Sequence, residues 1–312
     1  MRKYQKKQAE EFIEVLKEVH SAIIEAIKVN QRDSALDLLS QCQDGALRLG
    51  ELIESVEGEG GKTISHLEDY CELVYQVYVD IGQGQEICAD WTAEKLGNAL
   101  EQIEESISID IKVRLEIVFL PYKASMWDSL ESVWKAADED ENADAYVIPI
   151  PYFDKNSDGS FGQMHYEGDQ YPAYVPITKY DEYDFENRRP DVIYIHNPYD
   201  ECNYVTSIHP YFYSSNLKKF TDKLVYIPYF ILDEIDPDNQ EAVKNIEHFC
   251  VVPGVLNANI VVVQSEDMRQ IYVNVLSKEA GESTRDIWER KIWGLGSPKI
   301  DKVLSARKED YL

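Results

Sequence analysis

Two short runs of almost wholly apolar residues constrain this chain most, VIYI at 192–195 and IVVV at 260–263. A strand with one solvent-exposed face alternates apolar and polar residues, whereas a wholly apolar strand must be buried on both faces. Helix-like stretches separate the strand-like runs, for example SEDMRQIYVNVL at 265–276. This alternation of strands and helices predicts the α/β class, with a Rossmann-like, mostly parallel, doubly wound sheet.

Three further runs are predicted to be strands: IKVRLEIVFL (111–120), AYVIPIPYF (145–153) and KLVYIPYF (223–230). The stretch DKNSDGSFG (154–162) is typical of a loop, because it is polar and contains two glycines. The connections at 154–190 and 231–258 are long, so they are expected to hold functional loops or small elements.

The first 110 residues have helical periodicity almost throughout. Apolar residues recur at steps of three and four, beginning with Phe12, Leu16 and Val19. Breaks at 30–33, 56–62 and 82–85 divide the stretch into four amphipathic helices. Such helices predict an up-down bundle or two stacked helical hairpins. The expected domains are a helical bundle at 1–110, a Rossmann-like domain at 111–305 and a tail at 306–312.

Charge excludes some classes of partner. The chain has 58 acidic and 31 basic residues, a net charge of −27. Binding to nucleic acid or to an anionic membrane surface depends on Lys and Arg, so neither partner is expected. No apolar run approaches the roughly 20 residues of a transmembrane segment.

The five cysteines include no CxxC pair, and no His or Cys residues have the spacing of metal ligands. Reduced thiols, a cytoplasmic location and the absence of a metal are therefore expected. No GxGxxG follows the first predicted strand and no GKS or GKT occurs, so no cofactor is expected.

Four predicted strands run into a Pro-Tyr pair. Proline ends a strand because it lacks an amide proton, and the tyrosine adds a ring and a hydroxyl. These pairs are simple strand terminators or, alternatively, a ring of tyrosines around a cleft for a polyol or sugar-like group. In parallel sheets such clefts lie beyond the carboxyl ends of the strands. The candidate substrate contacts are Tyr122, Lys123, Tyr152, Asn197, Tyr199 and Tyr229.

The stretch HNPYD at 196–200 follows the apolar run VIYI and contains the candidate catalytic pair. Imidazole titrates near neutral pH, so His196 is the candidate for acid–base catalysis and Asp200 is the group expected to orient it. The alternative is a histidine that only forms a hydrogen bond to a nearby loop.

The stretch WGLGSPKIDKV at 293–303 resembles the Gly-x-Pro-Arg/Lys-x-Asp element of the bacterial CDP-glycerol glycerophosphotransferases, which make teichoic-acid-type polymers. The matching residues are Gly296, Pro298, Lys299 and Asp301. In that family the element closes the first of two Rossmann-like domains, the GT-B arrangement. The resemblance extends over about 110–305 and implies the acceptor-side lobe of such a transferase.

The resemblance also implies a mechanism. His196 would remove a proton from an acceptor hydroxyl, the hydroxyl would attack the β-phosphorus of CDP-glycerol, and CMP would leave. The acceptor would be a polyol phosphate or a sugar-like group. Two departures stand against this: the Trp-His-Gly element of the family is missing, and only 11 residues follow Asp301. CDP-glycerol is therefore an expected partner only if a second domain is present, and the 312-residue chain is expected to be incomplete for catalysis.

Two other classes of function stay open. One is a noncatalytic protein-interaction or ligand-sensing module, with residues 1–110 as the docking helices for a protein partner. The other is a nucleotide-sugar enzyme of a different family, for which the dinucleotide fingerprint is missing.

Overall fold

The computed structural model describes residues 1–85 and 87–306. Most of the tail expected at 306–312 therefore lies outside the described residues. The chain divides into two compact units, Met1–Arg114 and the part from Leu115 onward. The division falls four residues after the expected 110. Ile111 is buried in the helical core, and the amide of Arg114 donates to the carbonyl of Met1, so both belong to the first unit.

The first unit is a bundle of four helices. Helix α1 contacts α2 and α4, and α3 contacts the same two helices, so the four form a closed ring with short connections. The apolar stripes meet in one core, which includes Ile13, Leu39 and Leu100. The helices are α1 (Lys3–Lys28), α2 (Arg32–Glu57), α3 (Lys62–Gly82) and α4 (Ala89–Asp110).

The second unit alternates strands and helices. Its strands are β1 (Leu115–Leu120), β2 (Ala143–Val147), β3 (Tyr152–Lys155), β4 (Phe161–His165), β5 (Val192–Ile195), β6 (Thr206–Ile208), β7 (Lys223–Tyr226), β8 (Ile260–Val263) and β9 (Ile292–Gly294). Its α-helices are α5 (Glu131–Asp138), α6 (Phe185–Arg188), α7 (Ser214–Leu217), α8 (Gln240–Cys250), α9 (Pro253–Asn257), α10 (Glu266–Ala280), α11 (Arg285–Lys291) and α12 (Pro298–Ser305). Its 3₁₀ helices are Ala124–Ser129, Asp200–Cys202, Pro210–Phe212 and Glu282–Thr284.

The main sheet has six strands in the order β2-β1-β5-β7-β8-β9, and every neighbouring pair is parallel. Successive strand residues pack into two separate apolar cores. Val118 and Ile193 lie on the face covered by α10, whereas Phe119 and Val225 lie on the face covered by α5. The predicted fold class, a helical bundle followed by a mostly parallel α/β sheet, is confirmed.

A second, antiparallel sheet of three strands, β4-β3-β6, was not predicted. The run 145–153, expected to be one strand, is two: β2 ends at Val147 and β3 begins at Tyr152 in the other sheet. Prolines 149 and 151 interrupt it, because neither can donate to a ladder. The expected loop at 154–162 is largely the β3–β4 hairpin, with Gly159 at φ +83° in its turn.

No helix within the described residues is both long and apolar enough to cross a membrane.

Candidate functional site

The strand order reverses between β1 and β5. The chain moves from β1 outward to β2 and then returns to the other side of β1 with β5. In open parallel sheets, ligands bind at such a reversal, beyond the carboxyl ends of the two strands. Tyr122 and Lys123 follow β1, and His196 and Asn197 follow β5. The sheet therefore brings four of the candidate residues to one edge.

Three of the four Pro-Tyr tyrosines meet at this edge. The ring centroid of Tyr122 lies 5.5 Å from that of Tyr152 and 6.1 Å from that of Tyr229, both in edge-to-face geometry. Tyr199 lies beside them: it packs against the same apolar core as Tyr229 and interacts electrostatically with it. We call these four residues the tyrosine ring: Tyr122, Tyr152 and Tyr229, whose rings are in contact, and the neighbouring Tyr199.

Lys123 supplies the positive charge at the tyrosine ring. Its Nζ lies 5.0 Å from the ring centroid of Tyr152 and 5.6 Å from that of Tyr122. Within the part of the chain that the structure describes, the ammonium has no carboxylate partner and no hydrogen bond. A half-buried ammonium of this kind can accept an anionic ligand without first breaking an ion pair.

Glu167, which sequence reasoning missed, fixes the segment after β1. One carboxylate oxygen accepts the hydroxyl of Tyr152 at 2.7 Å, and the other accepts the amide of Ala124 at 2.8 Å. Nothing in the sequence distinguishes Glu167 from the other acidic residues, because its role depends on contacts with residues 15 and 43 positions away.

The hydroxyls of the tyrosine ring stay protonated at neutral pH. Burial raises the pKa of Tyr122 and of Tyr199 to about 12. Burial and then the hydrogen bond to Glu167 raise the pKa of Tyr152 to about 12, and burial raises that of Tyr229 further. Protonated phenols donate and accept hydrogen bonds, so the ring suits a hydroxyl-bearing ligand.

His196 is fully buried, and both of its ring nitrogens have partners. Nε2 accepts the backbone amide of Tyr122 at 3.1 Å, and Nδ1 lies 2.8 Å from the hydroxyl of Ser129. Because Nε2 is the acceptor, the proton is on Nδ1 in this neutral ring. Burial, and then the charge of Lys299, lowers the pKa of His196 to about 3. This geometry favours a supporting role over proton transfer to a substrate.

The carboxylate of Asp200, the group expected to orient His196, bonds Ser214 instead. It accepts the amide of Ser214 at 2.9 and 3.0 Å and the hydroxyl of the same residue at 2.6 Å. No hydrogen bond in the described residues joins Asp200 to His196. Asp200 itself has a positive φ of +46°. Burial raises the pKa of Asp200 to about 6, and the bonds from Ser214 oppose that rise.

The loop that contains Asn197 and Pro198 is held by a local bond and by α9. The side-chain oxygen of Asn197 accepts the amide of Tyr199 at 3.4 Å, and the carbonyl of Pro198 accepts the amide of Gly254 at 2.8 Å. A Cβ at Gly254 would lie 2.9 Å from the Cα of Pro198. Glycine therefore allows α9 to approach the loop that carries HNPYD.

The GSPKID stretch follows β9, a strand that the sequence did not predict. The last strand predicted before it was β8. Gly296, at φ +105°, makes the turn, and Pro298 begins α12, where proline is favoured. Lys299 donates to both carboxylate oxygens of Asp128, at 2.6 and 2.7 Å. Asp301 accepts the hydroxyl of Ser132 at 2.7 Å. The stretch thus binds to the segment that follows β1.

This docking connects the GSPKID stretch to the tyrosine ring. Asp128, the partner of Lys299, is adjacent to Ser129, the partner of His196. His196 in turn bonds the backbone of Tyr122. The segments after β1 and β5 and helix α12 are therefore connected by one network of contacts. No group of three or more potential metal ligands occurs within residues 1–85 and 87–306.

Comparison of the chain with protein-family models, with curated proteins and with solved structures finds no match.

Proposed function

We propose that the second unit binds a polyol phosphate or a similar phosphorylated sugar-like acceptor at the carboxyl edge of the main sheet. The observation that carries this proposal is the tyrosine ring with the unpaired ammonium of Lys123 beside it. Ring faces pack against the C–H groups of a polyol, phenols bond its hydroxyls, and a lysine ammonium binds phosphate.

Within this proposal, the unit is the acceptor-side lobe of a glycerophosphotransferase-like protein. Support comes from the resemblance of Gly296, Pro298, Lys299 and Asp301 to the family element and from the contact of that element with the site. Transfer from CDP-glycerol would need a donor domain opposite the ring, because catalysis requires both reactants to be positioned together. His196 would then hold Tyr122 in place.

A noncatalytic ligand sensor is the second candidate. The observation that favours it is the engagement of both nitrogens of His196, which leaves the candidate base without a free position for a substrate hydroxyl. The two candidates share the same ligand chemistry and differ in whether a group is transferred.

Isothermal titration and thermal shift with glycerol 3-phosphate, glycerol, CMP and CDP-glycerol test the proposal. Glycerol 3-phosphate is expected to bind and to raise the melting temperature, because a ligand of the native state stabilises it. Lys123→Gln is expected to weaken this binding by about 10-fold or more, since a charge-assisted hydrogen bond is lost. The affinity for glycerol, which has no phosphate, should be the same in Lys123→Gln and in the wild type.

Lys278→Gln is the matched control. Lys278 is exposed in the last turn of α10, which runs from the carboxyl end of β8 towards the amino end of β9. Lys278→Gln removes one positive charge, as Lys123→Gln does, but at the opposite edge of the sheet. The proposal would be contradicted if the two variants lost equal affinity for glycerol 3-phosphate. It would also be contradicted if none of the four compounds showed saturable binding. Turnover of CDP-glycerol with glycerol 3-phosphate separates the transferase from the sensor.

A further inference from the structure

A groove of about 500 Å³ runs between α2 and α3 in the helical unit. Its lining residues recur at steps of three and four along both helices, so each helix contributes one continuous stripe. The floor is apolar and includes Ala46, Ile64 and Leu67. Leu47 and Tyr75 lie at the margins, each about half exposed, at 53% and 51%. The bundle therefore leaves an apolar stripe of its second and third helices uncovered.

Gly50 gives the groove its depth. It lies within α2, where a glycine costs about 1 kcal/mol relative to alanine. A Cβ at Gly50 would meet only the Cδ1 of Leu67, at 4.0 Å. Neither close packing nor a positive φ requires glycine here, and a larger side chain would occupy the groove.

Carboxylates form the rim. Glu51 and Glu54 come from α2, and Glu68 and Glu72 come from α3, so both sides of the groove are acidic. None of the four forms an ion pair with another residue that the structure describes, and no Lys or Arg lines the groove. An apolar floor between two unpaired acidic rims is complementary to an apolar stripe flanked by basic residues.

We propose that this groove is the docking site for a basic amphipathic helix of a partner protein. Helix-in-groove recognition places apolar anchors at i, i+3, i+4 and i+7, and here lysines or arginines on the flanks would face the four glutamates. A second copy of the chain is disfavoured, because each copy has a net charge of −27. The inference concerns the helical unit and does not rest on the ligand proposed for the sheet.

A synthetic fluorescent peptide of about 20 residues is the probe, with leucines on one helical stripe and lysines on both flanks. Fluorescence anisotropy with the full chain is expected to give a Kd on the order of 10 μM. Gly50→Leu should weaken binding by about 10-fold or more, because the leucine fills the groove.

Gly97→Leu is the matched control. Gly97 is a helical glycine as well, but it lies in α4, and nothing lies within 4 Å of a Cβ added there. It should keep the wild-type affinity. Neither variant should lower the melting temperature, since leucine favours helix more than glycine does.

A variant with glutamine at 51, 54, 68 and 72 tests the charges. It should bind the lysine peptide more weakly than the wild type, and its affinity should no longer fall as salt rises from about 50 to about 500 mM. A peptide with glutamates in place of the lysines should not bind the wild type. The proposal is overturned if the glutamate peptide binds as well as the lysine peptide, if Gly50→Leu binds as the wild type does, or if no saturable binding occurs below about 1 mM.

Discussion

The backbone amide of Tyr122 donates a 3.1 Å hydrogen bond to Nε2 of His196. Their ring centroids are 5.4 Å apart in edge-to-face geometry. The bond connects the carboxyl ends of β1 and β5, the two strands on either side of the reversal in strand order. His196 therefore fixes the position of a tyrosine whose ring contacts Tyr152 and Tyr229.

His196→Ala is expected to destabilise the second unit by about 3–5 kcal/mol, because it leaves a cavity and removes the partner of a buried amide. Urea denaturation followed by tryptophan fluorescence measures the change. Ser129→Ala, which removes only the partner of Nδ1, should cost about 1 kcal/mol. A His196→Ala variant as stable as the wild type would contradict the supporting role of the histidine.

Replacing Asp200 separates its observed role from the expected one. Asp200→Ala leaves the amide and hydroxyl of Ser214 without their acceptor, so it should cost about 2–3 kcal/mol. Asp200→Asn keeps one acceptor oxygen and should cost less than half as much, as measured by chemical denaturation at pH 7. Equal and small effects of the two changes would contradict the anchoring role that the hydrogen bonds to Ser214 indicate.

Much of the fold could be predicted because the pattern that indicates each helix or strand lies within a single segment of the sequence. Helical periodicity indicates α1 to α4, and unbroken apolar runs indicate β5 and β8, since each pattern depends only on nearby residues. The antiparallel sheet escaped prediction because β6 has three residues and its partner β3 lies about 50 positions earlier. Strand β9, also three residues long, escaped for the same reason.

The site could be predicted in part. A Pro-Tyr pair at a strand end is visible in the sequence, and parallel strands bring such ends together, as Tyr122 and Tyr229 show. Partners distant in sequence could not be predicted. Asp200 bonds a residue 14 positions away, and Lys299 bonds Asp128 across 171 positions.

Gly254→Ala is expected to disturb the site from outside it. The added Cβ would lie 2.9 Å from the Cα of Pro198, a backbone atom that cannot move without shifting the loop. We expect a loss of about 1–3 kcal/mol in stability and weaker binding of glycerol 3-phosphate. Melting temperature and titration measure the two effects. Gly97→Ala, which meets nothing within 4 Å, should instead stabilise its helix by about 1 kcal/mol.

The bundle is expected to lose stability in mild acid because of His20. Its Nε2 lies 2.7 Å from the hydroxyl of Tyr70, and burial lowers its pKa from 6.5 to about 4. Between pH 6.5 and about pH 4, His20 is protonated in the unfolded chain but neutral in the folded chain. The free energy of unfolding therefore decreases as the pH is lowered through this range. The loss attributable to His20 should be about 2 kcal/mol between pH 7 and pH 5. His20→Gln cannot titrate, so urea denaturation followed by circular dichroism should show a correspondingly smaller loss. Identical pH dependence in the two proteins would mean that His20 takes up its proton equally in both states.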